Sequence, residues 1–468
     1  MRELFKLAWR NLWRNKHRTW ITLASIFFGV VFSIGMSSLT KGIIGNLIIE
    51  NIESYSGYLQ LQNEDYIDEP SLDNCFTYTK QLHKALTKNA NIRAAVPRIE
   101  TFALASNGNR SQGVRVTAIS PTQEKKMANP ERFLVRYRLT QQALALLKPL
   151  FKEEQKRKDL ALYIDHSYTN SQQMLADIGL RKAPLALQKK ALQATLFHSN
   201  YLTEKDEGVL VSDALAKHLQ VLPGDSLILM GQGYQGTNAA TLCPIRGIIK
   251  VTSPDLDRRL IYIPLATADH FLGMEGHITS LSLNLDHPDR MEETKQELTA
   301  LLPQGMAIRD WKELAPSLSQ QADEGEGERF VILFILYIIL FFGIIGTLEM
   351  MISERKKEFG MLHAIGMRRE KIAKVFATEI SLLTLIGLTL GALAGALVIV
   401  VGYYHPIPLH GQTAQAYSQM GYSPVITFAW FNDYYWHQLL TIALMVVVAT
   451  IQPVRHILQL DTLKSLHS

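Results

Sequence analysis

The chain has 468 residues, of which 47% are hydrophobic and 19% charged, and its formal net charge is +5 at pH 7. Its apolar residues are concentrated in a few runs with Lys and Arg beside them, which indicates a membrane protein obeying the positive-inside rule. No interleaving of aromatic and basic residues suggests a nucleic-acid surface, and we expect no nucleic-acid partner. Cys75 and Cys243 form no short-spaced metal pattern, and whether they pair or stay independent is open.

Residues 1–20 predict a cytoplasmic amphipathic helix lying in the membrane interface. One helical stripe is aromatic and apolar, and the next is cationic. The first stripe contains Phe5, Trp9, Leu12 and Trp13, and the second contains Arg2, Lys6, Arg10 and Arg14. The following apolar run is longer than a signal-peptide core and no A-x-A site follows it, so it predicts a retained first transmembrane helix over 21–40 rather than a secretory signal.

Small residues recur every four positions in two of the predicted spans. Ser25, Gly29, Ser33 and Ser37 share one face of the first, and Gly387, Gly391 and Gly395 share one face of the third. Such faces let neighbouring helices approach closely. Because glycine is also common in membrane helices generally, a packing seam and a mere compositional bias both remain open.

Residues 41–328 contain no run of membrane length and predict a large extracytoplasmic domain. Short β-rich pieces alternate with helical patterns there, which is typical of mixed α and β structure. The part at 132–200 is rich in Leu, Ala, Gln and Lys and predicts a helical insertion. The fold class predicted is therefore an α-helical membrane protein with four transmembrane helices and a large α+β extracytoplasmic domain between the first and second.

The remaining segments complete a four-span topology with both termini in the cytoplasm. They are a second span at 329–352, a cytoplasmic loop at 353–374, a third span at 375–402, an external loop at 403–433, a fourth span at 434–454 and a cytoplasmic tail at 455–468. Lys and Arg load the N-terminus, the loop at 353–374 and the C-terminus, whereas the loop at 403–433 contains neither. This asymmetry sets the orientation.

The loop at 353–374 is the most patterned stretch of the chain. Phe359, Leu362 and Ile365 recur at helical spacing and predict a short amphipathic helix that ends near Gly366. A second helical pattern then runs into the third span. Spacing alone leaves two interpretations open, a membrane-surface loop and a docking helix for a cytoplasmic partner.

The string ERKKEFGMLHAIGMRREKIAKVFATE resembles the signature of the FtsX-like (MacB-like) ABC transporter permease family. Ten residues match that signature: Glu354, Arg355, Glu358, Gly360, Leu362, Ala364, Gly366, Ile372, Phe376 and Glu379. The resemblance implies that the segment is a coupling helix through which a separate ATP-binding-cassette ATPase drives the membrane subunit. The ATPase-coupling residues it implies are Glu354, Arg355, Glu358, Phe359, Gly360, Leu362, Ala364, Gly366 and Arg368. Glu379 is expected to bond within the helix bundle or near the ATPase, with Ser25, Gly29, Gly387, Gly391 and Gly395 inside the bundle.

Weaker matches extend the resemblance over most of the chain and place it nearest the lipoprotein-releasing (LolC/LolE-like) and macrolide-exporter permeases. The resemblance implies a mechanotransmission subunit of a bacterial inner membrane that pairs with an identical or paralogous permease and with a cytoplasmic ABC ATPase dimer. The cargo it implies is a lipoprotein or another amphiphile, and ATP and Mg²⁺ would bind the partner ATPase.

The chain carries no motif of a catalytic site of its own. It has no G-x-x-x-x-G-K-[ST], H-E-x-x-H or G-x-S-x-G sequence, so we expect a non-catalytic subunit without a cofactor or metal. His405 and His410 have no nearby carboxylate and are expected to be surface or packing residues. Glu349, near the end of the second span, is expected to reach the headgroups rather than to carry protons.

Two other functional classes compete with transport. An FtsX-type signalling subunit, whose external domain activates an extracytoplasmic cell-wall hydrolase, has the same fold, but its external domain is much smaller than the one predicted here. A secondary transporter is disfavoured by only four spans and by the absence of a hydropathy repeat.

Overall fold

The computed structural model describes residues 8–12, 14, 16–151, 157, 160–409, 413–414, 416–417 and 424–459. The predictions for Arg2, Phe5, Lys6, Trp13, His410 and the end of the cytoplasmic tail lie outside these residues. The described residues fall into two compact units. The helical unit lies within 1–45, 320–408 and 425–468, and the α+β unit lies within 46–319 and 409–424.

The bounds of the described helices follow in chain order. They are α1 (Lys16–Ile48), α2 (Lys80–Leu86), α3 (Pro121–Met127), α4 (Gln141–Leu147), α5 (Ser171–Asp177), α6 (Leu185–Thr195), α7 (Asp213–Leu219), α8 (Pro254–Asp257), α9 (Leu265–Leu272), α10 (Met291–Thr299), α11 (Trp311–Leu314), α12 (Pro316–Ala364), α13 (Arg369–Tyr404) and α14 (Asp433–Leu458). Residues 8–12 and 14 are also helical, and a π-helix at Ile49–Ser56 follows α1.

The strands are shorter and, apart from one pair, belong to the α+β unit. They are β1 (Leu59–Asn63), β2 (Phe76–Thr77), β3 (Ile92–Asn107), β4 (Arg110–Ile119), β5 (Tyr137–Arg138), β6 (Ser167–Tyr168), β7 (Val209–Ser212), β8 (Ser226–Gln232), β9 (Asn238–Ile249), β10 (Leu260–Pro264), β11 (His277–Ile278), β12 (Ser280–Leu285), β13 (Met306–Asp310), β14 (Ile407–Pro408) and β15 (Val425–Ile426).

Four helices of the described chain are long and apolar enough to cross a membrane, namely those that contain α1, α12, α13 and α14. They share one apolar core, to which α1 contributes Ile26, Val30 and Ile34, α12 contributes Ile344 and Leu348, and α13 and α14 contribute Phe376, Ile399, Ile442 and Val446. Large apolar side chains also cover the outer faces, such as Phe342 on α12, which is 66% exposed. Helices that are apolar inside and outside are typical of a bundle surrounded by lipid.

The α+β unit is built on one nine-stranded sheet with the order β13-β1-β12-β3-β4-β10-β7-β9-β8. The 16-residue strand β3 also pairs with β8, through Ala103↔Gly231 to Ser106↔Ile228. Six strands, β3, β4, β10, β7, β9 and β8, therefore close into a ring, while β12, β1 and β13 extend it on one side. Successive side chains of each strand point to opposite faces of the sheet, so one set of them fills the inside of the ring. Ala105 and Leu229 are examples of buried residues in these strands.

The part at 132–200, predicted to be a helical insertion, contains α4, α5 and α6 and has an apolar core of its own. That core includes Leu139, Leu144, Leu147, Phe151, Met174, Leu175, Ile178 and Ala191. A two-strand pair, β5 with β6, was not predicted, because two residues per strand carry no readable alternation. Arg138 of this pair is buried and forms an ion pair with Asp213 at the start of α7. Cys75 and Cys243 are both free thiols.

Candidate functional site

The segment that carries the ERKKEFG motif is the end of α12 and not a separate helix. We predicted a second span that ends at 352 and a short helix after it, but α12 continues unbroken from Pro316 to Ala364. No proline or glycine stands between Ile352 and Phe359 to interrupt it, and the charged residues there are good helix formers. The motif is therefore rigidly continuous with the helix that precedes it.

Gly366 ends this helix in a tight turn. Met367 N donates to Leu362 O and Gly366 N donates to His363 O, both at 3.0 Å, which is the hydrogen-bond pattern of a Schellman motif. The φ angle of Gly366 is +102°, a left-handed conformation that favours glycine. The turn passes through Met367 and Arg368 and leads directly into α13 at Arg369. We call residues 361–366 the coupling tip.

The coupling tip exposes apolar side chains. Met361 is 51% exposed, Leu362 36% and Ile365 84%. Ala364 and Arg368 are also exposed, as is Glu354 earlier on α12. The exposed apolar side chains of the coupling tip lie next to one another, and contiguous exposed apolar surface is typical of a site that contacts a partner.

Phe359 does not belong to that surface, contrary to its prediction as a docking residue. It is only 4% exposed and packs edge to face against Phe376 of α13, with ring centroids 6.4 Å apart. Gly360 is buried as well. The predicted apolar stripe of Phe359, Leu362 and Ile365 does not lie on one face of the helix. Phe359 and Ile365 are six residues apart, which places them about 120° from each other around a helix. Phe359 instead follows Ile352 and Arg355 on the inward face.

A chain of alternating charges lies beside Phe359 and joins three segments. Arg355 of α12 donates from Nη1 to Glu379 Oε2 of α13 at 2.6 Å and from Nε to Glu358 Oε2 at 3.2 Å. Asn11 of the N-terminal helix donates to Glu379 Oε1 at 2.6 Å, and Arg14 forms an ion pair with Glu358. We call Asn11, Arg14, Arg355, Glu358 and Glu379 the charge joint.

The charge joint is buried at one end and open at the other. Glu379 is 1% exposed and the Arg355 side chain is 11% exposed, whereas the side chains of Glu358 and Arg14 are 39% and 52% exposed. A small cleft adjoins it, lined by Asn11, Leu12, Arg14, Thr19, Met351, Arg355 and Glu379. Both oxygens of Glu379 are bonded to side chains from different segments, so a shift of α12 changes the environment of the base of α13 and of the N-terminal helix together.

Glycines hold α1 and α13 close together above the charge joint. A Cβ atom at Gly387, Gly391 or Gly395 would lie 2.7–3.0 Å from Ile26, Val30 or Ile34 of α1. Gly29 of α1 meets Leu340 of α12 in the same way. Ser25 instead bonds the carbonyl of Ile21 in its own helix. The structure thus places the four predicted glycines in packing seams, while the small residues of α1 and α13 do not face each other as one stripe.

Asn11 and Arg14 belong to the charge joint but were not predicted as site residues. The N-terminal stretch was interpreted only as a lipid-facing helix, although the asparagine stands among aromatic and basic residues where a polar partner would be needed if it were buried. Glu349 pairs with His456 Nδ1 at 3.2 Å rather than standing alone. Among the described residues, no group of three His, Cys, Asp or Glu side chains is close enough to hold a metal ion.

One region of the chain matches the model of a known protein family. Residues 330–461, which contain the coupling tip, α13 and α14, match the family model of the FtsX-like permease C-terminal region. This region of the chain is therefore similar to the FtsX-like permeases. This confirms the resemblance inferred from the ERKKEFG signature.

Named relatives of this chain include two transport proteins. A macrolide export ATP-binding/permease protein MacB of Wolinella succinogenes is 24% identical over 420 residues, which is 87% of this chain and 56% of that protein. A lipoprotein-releasing system transmembrane protein LolC of Xylella fastidiosa is 21% identical over 40% of this chain and 46% of its own length. The chain therefore spans about half the length of these relatives.

A solved structure was also matched, that of the periplasmic region of MacB from Actinobacillus actinomycetemcomitans. It is 11% identical and has a TM-score of 0.31, and the match covers 58% of this chain and 95% of that one.

Proposed function

We propose that this permease is the membrane subunit of a mechanotransmission-type ABC transporter and that a cytoplasmic ATPase docks on its coupling tip. The observation that carries the proposal is the rigid path from the tip to the charge joint. The exposed Leu362 and Ile365 lie within one to two turns of Phe359, and Phe359 packs against α13. A push on the tip is thus delivered to α13 and, through Glu379, to the N-terminal helix.

The ATP-binding part is assigned to a partner because the chain has no P-loop sequence. ATP and Mg²⁺ would bind there, and closure of an ATPase dimer would drive two permeases, identical or paralogous. In this proposal the protein spans a bacterial inner membrane. The basic loop at 353–374 and both termini lie in the cytoplasm. The α+β unit lies outside, where it would receive the transmitted movement.

The cargo proposed is a lipoprotein or another amphiphile. The support is the named relatives, one a lipoprotein-releasing protein and one a macrolide exporter, since both kinds of cargo combine apolar and polar parts. Recovery of a cell-wall hydrolase on the α+β unit, with no amphiphile bound, would instead favour the FtsX-type signalling function.

The docking test compares two kinds of aspartate substitution in native membranes. Leu362→Asp with Ile365→Asp places two charges on the coupling tip, and we expect the P-loop ATPase to be lost from the purified complex. Leu185→Asp on α6 is the matched control, since Leu185 is 67% exposed but lies in the α+β unit. An ATPase that stays bound to the double variant at the level of the control would rule out docking at the tip.

A further inference from the structure

The end of the helical unit opposite to the charge joint carries a cluster of aromatic side chains. It comprises Tyr403, Tyr404, Trp430, Phe431, Tyr435 and Trp436, whose rings contact one another in series at centroid distances between 4.9 and 6.0 Å. All except Tyr435 are at least 36% exposed, and Trp436 reaches 68%. Five exposed or half-exposed rings are more than packing of the bundle requires, since only Tyr435 of this cluster belongs to the bundle's apolar core.

Hydrogen bonds between α1 and the segment before Trp430 fix the position of this cluster relative to α1. Ser38 Oγ donates to Ala429 O, and Ala429 N donates to Ser38 O, both at 2.9 Å. Next to this pair, Thr427 Oγ1 donates to the carbonyl of Gly42, where a Cβ atom would lie only 2.2 Å from Thr427 O. Trp430 follows Ala429 directly and is therefore held at the height of Ser38.

A second aromatic level lies on the same helix at a distance that matches a bilayer. Trp20 is 57% exposed and precedes Ser38 by 18 residues, or about 27 Å at 1.5 Å per residue. No charged residue stands between them. On α14 the interval from Trp436 to Arg455 is 19 residues, about 28 Å, and is equally free of charge. Both intervals are close to the roughly 30 Å thickness of the hydrocarbon core.

We infer that the aromatic cluster lies in the lipid headgroup region of the outer leaflet and that Trp20 marks the inner headgroup region. Trp and Tyr are suited to this position because their rings are apolar while the indole N–H and phenol O–H bond water and headgroups. The segment 403–433 contains no Lys or Arg, as an outer boundary requires. The span of α1 then ends near Ser38, and its last ten residues continue about 15 Å beyond the membrane.

This inference requires that the helices span a membrane in the predicted orientation but not that an ATPase docks, so it can fail or hold independently of the ATPase. The test uses the full-length permease in phosphatidylcholine vesicles that contain nitroxide lipids labelled at the headgroup, at carbon 5 or at carbon 12 of an acyl chain. Single-tryptophan variants retain Trp430 or Trp20, with the other tryptophans replaced by Phe. Phe342→Trp in a tryptophan-free chain supplies a deep reference, because Phe342 is 66% exposed near the middle of the predicted second span.

For Trp430 and Trp20 we expect quenching at least about twofold stronger by the headgroup and carbon-5 labels than by the carbon-12 label, since interfacial indoles lie at headgroup depth. Phe342→Trp should show the reverse order. A variant that retains only Trp311, which is 6% exposed in the α+β unit, should show no lipid quenching. Deep quenching of Trp430 would overturn the inference, and so would an absence of quenching like that of Trp311, which would indicate a protein cover.

A second measurement avoids the tryptophan replacements if those variants do not fold. Tyr404→Cys, with Cys75 and Cys243 changed to Ser, can carry a nitroxide at a position that is 65% exposed. An interfacial depth requires comparable accessibility to oxygen and to a water-soluble nickel chelate. Accessibility to oxygen alone, or to nickel alone, would place this residue in the hydrocarbon or in bulk water and would contradict the inference.

Discussion

The helical unit and the α+β unit each bury an arginine and a glutamate, but they do so in different ways. In the α+β unit Arg98 of β3 and Glu124 of α3 are 0% exposed, and their atoms Nη2 and Oε1 are 2.5 Å apart. In the charge joint, Arg355 and Glu379 are buried but connect through Glu358 to the half-exposed Arg14. We call Arg98 and Glu124 the sealed pair, because no solvent reaches it to take the place of either partner if the bond breaks. The charge joint reaches solvent at Arg14, so its members can exchange partners as the helices move.

Removal of one member of the sealed pair should have the largest effect on stability. Glu124→Ala leaves the guanidinium of Arg98 buried without its carboxylate, which costs about 3–5 kcal/mol of unfolding free energy. We expect a large fall in the Tm of the α+β unit, which near-ultraviolet circular dichroism measures. The double variant Arg98→Met with Glu124→Met should recover much of the loss, and a Tm as low as that of Glu124→Ala would contradict this account.

The glycine seam offers a packing test in the helical unit. Gly391→Val introduces a Cβ atom 2.7 Å from Val30 and 3.1 Å from Phe27 O, so we expect overpacking that costs about 1–3 kcal/mol. The measurement is thermal stability of the purified permease in detergent. Gly343→Val is the control, because a Cβ atom at Gly343 meets nothing within 4 Å. Equal losses in the two variants would show that the seam has no special role.

If the chain works as proposed, opening the charge joint should uncouple it from its ATPase more than it unfolds the chain. Glu379→Gln keeps the shape but removes the charge that binds Arg355, and we expect stimulation of the partner ATPase by the permease to fall about tenfold, within the usual range of coupling energies. The charge exchange Arg355→Glu with Glu379→Arg should restore part of it. A Glu379→Gln permease that is fully coupled would limit Glu379 to a packing role.

Much of the helical unit could be predicted from sequence because its signals are local. Runs of apolar residues mark helices of spanning length, and the left-handed turn at Gly366 follows from its place after a helical pattern. The burial of Phe359 was missed because helical spacing shows which residues share a face but not which face has a neighbour. Asn11 and Glu379 are 368 residues apart, and no local pattern relates two such positions.

Less of the α+β unit could be predicted. The sequence indicated mixed structure with short strands, yet the closing of β3 on β8 depends on a pairing between positions more than 120 residues apart. The ion pair of Arg98 with Glu124 was not predicted either, because each residue stands alone in its local pattern and charged residues are usually exposed. Long-range pairing of this kind is decided by the packing of the whole unit rather than by any one segment.

The smallest predicted effect concerns acid, and it extends the comparison to a third carboxylate, that of the half-buried Asp257. Asp257 accepts hydrogen bonds from the backbone N–H groups of Asp213, Ala214 and Val251, yet burial, and next the nearby Asp213, raises its pKa to about 6. A raised pKa means that the folded state binds the proton more tightly. The contribution of Asp257 is therefore fully present below the ordinary pKa of 3.8 and is lost as the pH rises through about 6.

Acidification from pH 7 to pH 5 should consequently stabilise the wild-type α+β unit relative to Asp257→Asn, by an amount on the order of 1 kcal/mol. The comparison between variants is needed because His166 acts in the opposite direction. Burial, and next the charge of Lys250, lowers the pKa of His166, so acid destabilises the fold through that residue in both proteins. Burial would raise the pKa of Asp213, but the charges of Lys217 and Arg138 outweigh it and hold this pKa below the ordinary 3.8. Asp213 therefore does not titrate in this window. The measurement is the Tm of each protein at both pH values, and parallel shifts in the two would show that Asp257 is ionised throughout, held by its three backbone donors.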